Sequence, residues 1–160
     1  WLEFRRVLFR SQDLPSISSF KWAILDFLWP KPATTFTVKN HFGLTLLTRL
    51  RVDFSHIRKH NFKHEVADIV DPFCSCRTNS IETTKHFLLH CSNYSDVRLT
   101  LFDSLQALEI NPIPLDPDFL CRILLYGDST LNDAVNCEIL NSTINFICES
   151  NRFSGPLFWS

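Results

Sequence analysis

The sequence reads Cys74-Ser75-Cys76 and then, after nine further residues, His86-Phe87-Leu88-Leu89-His90-Cys91. Zinc in proteins is commonly held by four thiolate or imidazole ligands at the corners of a tetrahedron. A turn with two close cysteines can supply one edge of that tetrahedron. A helix with two ligands about one turn apart can supply the other edge. The spacing therefore predicts a zinc knuckle, a CxC turn followed by a short helix, with the ligands Cys74, Cys76, His86 and Cys91.

The spacing alone leaves a simpler interpretation open. Buried cysteines often behave as small apolar side chains, and His86 could be an ordinary surface histidine. His90 is a rival nitrogen ligand, but it directly precedes Cys91 and would crowd the same corner. If all four ligands bind, the metal is structural, because no coordination position remains for a reactive water. The other cysteines stand in apolar helical contexts and are predicted to be core residues: Cys121, Cys137 and Cys148.

Helices are predicted on both sides of this segment from the spacing of apolar residues, and prolines divide them. The predicted helices cover residues 13–29, 44–62, 80–90, 95–108, 117–126 and 131–150. Glu82 then belongs to the first turn of its helix, where a negative charge is favoured. Pro72 and the close cysteines predict a turn over 71–76, and no alternating strand pattern competes. The predicted fold class is all-α, a small helical domain with a zinc knuckle.

The 160 residues, 45% hydrophobic and 21% charged, suffice for one domain with a real core. The string Leu2-Glu3-Phe4-Arg5-Arg6-Val7-Leu8-Phe9-Arg10-Ser11 resembles the translation of a DNA-sequencing adaptor. Residues 1–11 are therefore predicted to be non-native and are set aside. The remaining chain divides into a basic helical segment over 12–70, the zinc knuckle over 71–92, and C-terminal helices over 93–160 that pack with the rest as one domain.

Charge is distributed unevenly along the chain. Residues 12–64 contain eight Lys or Arg against three Asp or Glu, a balance of +5, and residues 65–160 contain five against thirteen, a balance of −8. A basic front half suggests contact with a polyanion, although a solvated surface can have the same composition. Phe54 and Phe62 are interleaved with the cations and are predicted to be core residues rather than platforms for bases. The residues predicted to face nucleic acid, without reading its sequence, are Arg49, Arg51, Arg58, Lys59 and Lys63.

Several strings share one resemblance: Leu46-Leu47-Thr48-Arg49-Leu50-Arg51-Val52, Ser55-His56-Ile57-Arg58, Ile123-Leu124-Leu125-Tyr126-Gly127 and Arg152-Phe153-x-x-Pro156-Leu157-Phe158. Together with the cysteine–histidine segment, they resemble the C-terminal tail of non-LTR (LINE-type) retrotransposon reverse transcriptases, over about 12–160. The resemblance implies a zinc module that follows the polymerase domain and helps to hold template RNA or target DNA. It also implies that the ligand positions are Cys74, Cys76, His86 and Cys91.

No catalytic site is predicted in this chain. Reverse transcription needs paired aspartates on a hairpin to hold two divalent metals. Asp116-Pro117-Asp118 contains a proline and lacks a strand pattern, so it is predicted to be a helix N-cap beside a loop. The polymerase would lie upstream, and the expected partners are RNA or DNA and that upstream polymerase domain.

Two alternative functions remain open: a structural or protein-interaction zinc module that touches no nucleic acid, and a decayed copy of the element. No apolar run approaches the roughly 18–20 residues that span a bilayer, so no membrane partner is expected. Six cysteines without an export signal favour reduced thiols or metal ligands over disulfides. An intracellular location is therefore predicted.

Overall fold

The computed structural model describes residues 40–154, except 67 and 77. The α-helices in this part of the chain are α1 (His41–Arg51), α2 (Arg58–Lys63), α3 (Ser95–Ala107), α4 (Pro117–Tyr126) and α5 (Asp133–Glu149). One π-helical turn, His86–His90, and one 3-10 turn, Ser92–Tyr94, precede α3. Apart from one antiparallel bridge between Phe73 and Ile81, the described residues form no β-structure. The predicted all-α class is confirmed, while the predicted helix over 13–29 lies outside the described residues.

Helix α5 organises the core, because it packs against α1, α3 and α4. Burial of aliphatic side chains from these helices is the dominant stabilising term of such a fold. At the crossing of α1 and α5 the two helices approach closely, since a Cβ on Gly43 would lie 2.3 Å from Cγ2 of Ile144. The most deeply buried aliphatic side chains of the four helices include Leu47, Leu105, Leu124, Ile139, Ile144 and Ile147.

Side-chain caps fix where α4 and α5 begin. The carboxylate of Asp116 accepts hydrogen bonds from the backbone N–H groups of Asp118 and Phe119, both at 3.0 Å. The side chain of Asn132 accepts one from the N–H of Val135 at 2.9 Å. These bonds satisfy N–H groups that have no partner within the helix. The prediction of a helix N-cap at Asp116-Pro117-Asp118 is therefore confirmed.

The predicted single helix over 44–62 is wrong, because the structure divides it into α1 and α2. Asp53 has a φ of 53°, a left-handed conformation in which an α-helix cannot continue. The connection that follows places Ile57 in the core before α2 begins. Helix α1 also begins earlier than predicted, because the side chain of Asn40 caps it.

The predicted helix over 80–90 also needs correction. Its first residues are extended, since Ile81 pairs with Phe73 across the antiparallel bridge. Only the later part is helical, and it ends in the π-helical turn His86–His90. Glu82 is therefore not in the first turn of a helix; its side chain is buried. Backbone pairing between two residues eight positions apart overrides the local helical pattern here.

The three cysteines outside the knuckle differ in burial. Cys121 is buried in the core, as predicted, and Cys148 packs against its edge. Cys137 is only half-buried. The C-terminal helices therefore use two of these three thiols as packing material.

Candidate metal centre and basic surface

A small loop brings Cys74 and Cys76 together. The N–H of Cys74 donates to the carbonyl of Ser80 at 2.8 Å, and the N–H of Glu82 donates to the carbonyl of Pro72 at 2.9 Å. These two bonds flank the Phe73–Ile81 bridge and close the loop. Within the loop both thiols are buried, although the segment has no regular structure of its own.

The π-helical turn brings His86 and Cys91 together. In an α-helix, residues five apart point about 140° away from each other around the axis. Here the N–H of Cys91 donates to the carbonyl of His86 at 2.7 Å, an i to i+5 bond that widens the turn. The hydroxyl of Thr83 accepts from the N–H of His86 at 3.0 Å and holds the start of the turn. A π-turn is uncommon and is frequently found at functional sites.

The four side chains meet in one buried cluster, hereafter the Cys–His cluster: Cys74, Cys76, His86 and Cys91. Their candidate ligand atoms all lie within 4.8 Å of one another. The two thiol sulfurs of Cys74 and Cys91 are 3.5 Å apart, and the sulfur of Cys76 lies 3.3 Å from Nε2 of His86. In a zinc tetrahedron the corresponding separations are about 3.8 Å and about 3.5 Å, from bond lengths of about 2.3 Å and 2.0–2.1 Å. The cluster could therefore hold a metal ion with only small movements of its side chains.

The thiols of the cluster have unequal proton affinities. Burial raises the pKa of Cys74 to about 12 and also raises that of Cys91. Burial acts in the same direction on Cys76, but hydrogen bonds from Thr78 and contacts with Cys74 and His86 outweigh it and lower its pKa to about 6. The hydroxyl oxygen of Thr78 lies 2.9 Å from that sulfur. A metal would therefore have to displace protons from Cys74 and Cys91, which is the ordinary chemistry of a thiolate site.

Arg98 supports the turn that carries two members of the cluster. Its Nε donates to the carbonyl of Leu88 at 2.8 Å, and Nη2 donates to the carbonyls of Cys91 at 2.7 Å and Phe87 at 3.3 Å. Sequence reasoning missed this residue. The available signal was its position, since Arg98 stands on the same face of α3 as the buried Leu101 and Leu105.

Glu82 and Arg152 form an ion pair beneath the knuckle. Nε and Nη2 of Arg152 donate to the two carboxylate oxygens at 2.8 and 2.9 Å, and the backbone N–H of Arg58 donates to Oε2 at 2.7 Å. Nη2 of Arg152 also donates to the carbonyl of His56 at 3.1 Å. Burial would raise the pKa of Glu82, but the hydrogen bonds and charge of Arg152 outweigh burial and lower it. The pair thus joins the loop that carries Cys74 and Cys76, the start of α2 and the segment that follows α5.

The prediction that Arg51 faces nucleic acid is wrong. Its side chain is only 4% exposed, and its Nε donates to the carbonyl of Leu125. The guanidinium lies over the ring of Tyr126, 5.6 Å from the ring centre, and the hydroxyl of Tyr126 donates to the carbonyl of Arg51. Burial lowers the pKa of Arg51 to about 10, although the charge of Tyr126 acts in the opposite direction. Arg51 therefore joins α1 to α4 inside the fold.

The other four predicted cations divide into two groups. Arg58 is half-buried, donates from Nη1 to the carbonyl of Phe73 at 3.1 Å, and lies 3.8 Å from a carboxylate oxygen of Asp71. It therefore helps to hold the knuckle loop, residues 71–82, against α2. Lys59 and Lys63 are exposed, and Arg49 is half-buried. The structure leaves these three cations in contact with solvent.

The prediction that Phe54 and Phe62 are core residues is also wrong. Their side chains are 48% and 46% exposed. The ring of Phe54 meets the ring of His60 edge-on at 5.2 Å, and the rings of His60 and His64 are 4.3 Å apart. Short α2 has one buried residue, Asn61, so its aromatic side chains remain at the surface. Aromatic rings and cations thus share the surface of α2 and the connection before it.

Comparison with protein-family models, curated proteins and solved structures found no match for this chain. In the part of the chain that the structure describes, no helix has the length and apolar character needed to cross a membrane. The chemistry of the Cys–His cluster and of the surface around α2 therefore carries the functional interpretation.

Proposed function

We propose that this chain is a zinc-stabilised, nucleic-acid-binding accessory module from the C-terminal end of a retrotransposon reverse transcriptase. Its role would be to position template RNA or target DNA for a polymerase domain encoded upstream. The observation that carries the proposal is the convergence of three thiols and one imidazole within 4.8 Å in a buried cluster. The cluster matches the ligand set implied by the family resemblance of the sequence.

The donor set supports zinc over the other common divalent ions. Thiolate and imidazole ligands suit zinc, whereas calcium and magnesium require oxygen ligands. The four residues can complete a tetrahedron by themselves, so the ion would act as a structural element rather than as a Lewis acid with an open position. We accordingly propose that the module has no catalytic activity of its own.

The surface around α2 supports contact with nucleic acid. Lys59 and Lys63 lie one helical turn apart and both are exposed, so they can neutralise neighbouring phosphates. The exposed rings of Phe54 and Phe62 offer flat surfaces on which unpaired bases can stack. This combination favours single-stranded nucleic acid without sequence preference, because stacking and phosphate contacts do not read base edges. Arg51 is excluded from this surface because it is buried.

Binding of a fluorescent single-stranded RNA or DNA at several salt concentrations tests the proposal. Lys59→Glu and Lys63→Glu should each weaken binding and reduce the slope of log affinity against log salt by about one. Arg122→Glu, which makes the same change in net charge at an exposed position on α4, is the matched control and should leave the slope unchanged.

Two results would count against the proposal. If Arg122→Glu weakens binding as much as the α2 variants do, only net charge matters and α2 is not the contact surface. If the wild-type chain binds no strand at low salt, the nucleic-acid function is wrong. The proposed origin has its own test, which is to read the genomic sequence upstream of this segment. An in-frame polymerase there supports it, and an unrelated gene contradicts it.

A second candidate function, protein interaction, is favoured by one observation. Phe73 and Ile81 are opposed on the antiparallel bridge, and both side chains are exposed. The backbone hydrogen bonds lie on either side of this pair, so Phe73 and Ile81 form a non-hydrogen-bonded pair, in which opposed side chains are closest together. The two side chains therefore form one apolar patch. Such a patch suits contact with another protein surface, for example the proposed upstream polymerase domain. Pull-down with that domain, using Phe73→Ser against Val70→Ser as an exposed apolar control, separates this function from the first.

A further inference from the structure

Arg98 is a buried cation without a carboxylate partner among the described residues. It is 8% exposed, and its hydrogen bonds are donated to three backbone carbonyls. No ion pair joins it to a carboxylate in residues 40–154, leaving aside 67 and 77. A buried charge is costly unless an opposite charge compensates it. Arg152, by contrast, is paired with Glu82.

The position of Arg98 identifies the nearby group that could compensate its charge. The carbonyls that it contacts belong to Phe87, Leu88 and Cys91, which form or follow the turn carrying the Cys–His cluster. The distance from Nη2 of Arg98 to the carbonyl oxygen of Cys91 is 2.7 Å, so the guanidinium contacts the backbone of a candidate ligand residue. Charges on neighbouring buried groups interact more strongly than charges in water.

The charge of the cluster depends on what it holds. A divalent ion bound by three thiolates and one neutral imidazole carries a net charge of −1. A monovalent ion in the same shell would leave a charge of −2. The divalent, three-thiolate state thus balances the single positive charge of Arg98.

We propose that Arg98 is the counter-charge of a divalent metal centre in the Cys–His cluster and positions the His86–Cys91 turn around it. The inference rests on the proposed zinc site and adds a role for a residue that is not a ligand. Substitution of residues that hold metal ligands in place commonly lowers metal affinity by about 10- to 100-fold. Arg98 contributes in two ways, through its charge and through its bonds to the carbonyls, and an experiment has to separate them.

A double-mutant cycle on zinc affinity makes this separation. Arg98→Met removes the charge, and Cys76→His converts the shell to two thiolates and two imidazoles, whose complex with zinc is neutral. Zinc affinity is measured by competition with a chromophoric chelator, and helix content by circular dichroism shows that each variant is folded. We expect Arg98→Met to weaken zinc binding about 10- to 100-fold in the native shell and less than about 3-fold in the Cys76→His shell.

Arg98→Lys provides the second variant, because it keeps the charge and loses the planar fork. We expect it to recover most of the affinity that Arg98→Met loses. One contrary result is that Arg98→Met loses the same factor in zinc affinity in both shells, and another is that Arg98→Lys binds zinc no better than Arg98→Met. Either result would show that Arg98 acts through the carbonyl bonds alone and would overturn its proposed role as a counter-charge. A wild-type chain that binds no zinc would overturn the proposed zinc site itself, a result distinct from both.

Discussion

The knuckle loop, residues 71–82, and the helical core of α1, α3, α4 and α5 are held together by different forces. In the core, aliphatic side chains from four helices form one continuous cluster. In the loop, the buried side chains are the two thiols, which join Cys91 and the ring of Tyr94 in a separate small cluster, and the carboxylate of Glu82. The loop has few apolar side chains to bury, and Phe73 and Ile81 are exposed.

The difference indicates which region needs a ligand to become ordered. A region that buries many aliphatic groups can gain enough free energy from packing to order its own chain. A twelve-residue loop with one β-bridge cannot, unless a metal or an ion pair supplies the missing free energy. The segment after the loop has both supports, because Phe87 and Leu88 belong to the helical core while His86 and Cys91 belong to the Cys–His cluster.

The largest expected effect is on the loop and follows removal of the metal. Chelation, or the variant Cys74→Ser/Cys91→Ser, should abolish binding of about one zinc per chain and disorder residues 71–82, since structural zinc supplies on the order of 10 kcal/mol. Amide hydrogen exchange should accelerate at Cys74 and Glu82, while amides in the middle of α5 stay protected. Cys137→Ser, outside the cluster, is the control and should keep the metal. Uniform loss of protection throughout α5 would show that the two regions are not separable.

A core substitution should lower the stability of the fold and leave zinc binding largely intact. Leu124 is fully buried in α4, so Leu124→Ala should lower the free energy of unfolding by about 2–5 kcal/mol. Zinc affinity of the folded protein should change less than stability, because Leu124 belongs to the large aliphatic cluster, whereas Cys74, Cys76 and Cys91 form a separate one. Urea denaturation with a parallel zinc titration checks both quantities. Leu99→Ala on the exposed face of α3 should change stability by less than about 0.5 kcal/mol. A large loss of zinc affinity in Leu124→Ala would show that the metal site depends on the helical core, against the distinction between the two regions.

The Glu82–Arg152 ion pair joins the two regions, and its contribution should depend on pH. Glu82→Gln should destabilise the fold by about 2–3 kcal/mol at neutral pH, because it removes a buried, charged hydrogen-bond acceptor. The folded-state pKa of Glu82 is lowered, so its stabilisation is present above the unfolded pKa of about 4.3 and is lost as pH falls through the lower folded-state value.

Urea unfolding of wild type and Glu82→Gln from pH 7 to pH 3 tests this dependence. The difference between the two proteins should be constant above about pH 5 and should shrink below about pH 4. Glu138→Gln, an exposed carboxylate on α5, serves as the control and should show no such difference. A gap between Glu82→Gln and wild type that stays constant down to pH 3 would mean that the charge of Glu82 is not what stabilises the fold.

The smallest expected effect is on the start of α5. Asn132→Ala removes the cap on the N–H of Val135 and should cost about 1 kcal/mol. Asn145→Ala, at an exposed position inside the same helix, should be neutral or slightly stabilising, since alanine has the higher helix propensity. Thermal unfolding of both variants and of the wild type measures the two changes in stability. Equal effects would indicate that α5 is held by packing alone and that its cap contributes nothing.

Local patterns in the sequence predicted α4 to the residue, and α3 and α5 to within two residues at either end. These helices have caps, prolines and apolar spacing that agree with one another, so the local signal and the fold coincide. The helix over 44–62 was wrong because periodicity does not show that the chain reverses at Asp53. The helix over 80–90 was wrong at its start because Ile81 pairs with a residue that precedes it by eight positions.

Residue type and order were enough to predict the helical class and the four residues that could bind a metal, because ligand chemistry and helical spacing depend on them directly. Which cations lie inside the fold depended on tertiary contacts, although the position of Arg98 on the face of Leu101 and Leu105 was a signal in the sequence. Arg51 and Arg98 are buried because backbone carbonyls accept their N–H groups, and the acceptor of Arg51, at Leu125, lies 74 residues away. Lys59 and Lys63 are exposed because short α2 buries only one side chain, that of Asn61. Whether a charge is buried depends on acceptors that folding brings near, and no local pattern records them.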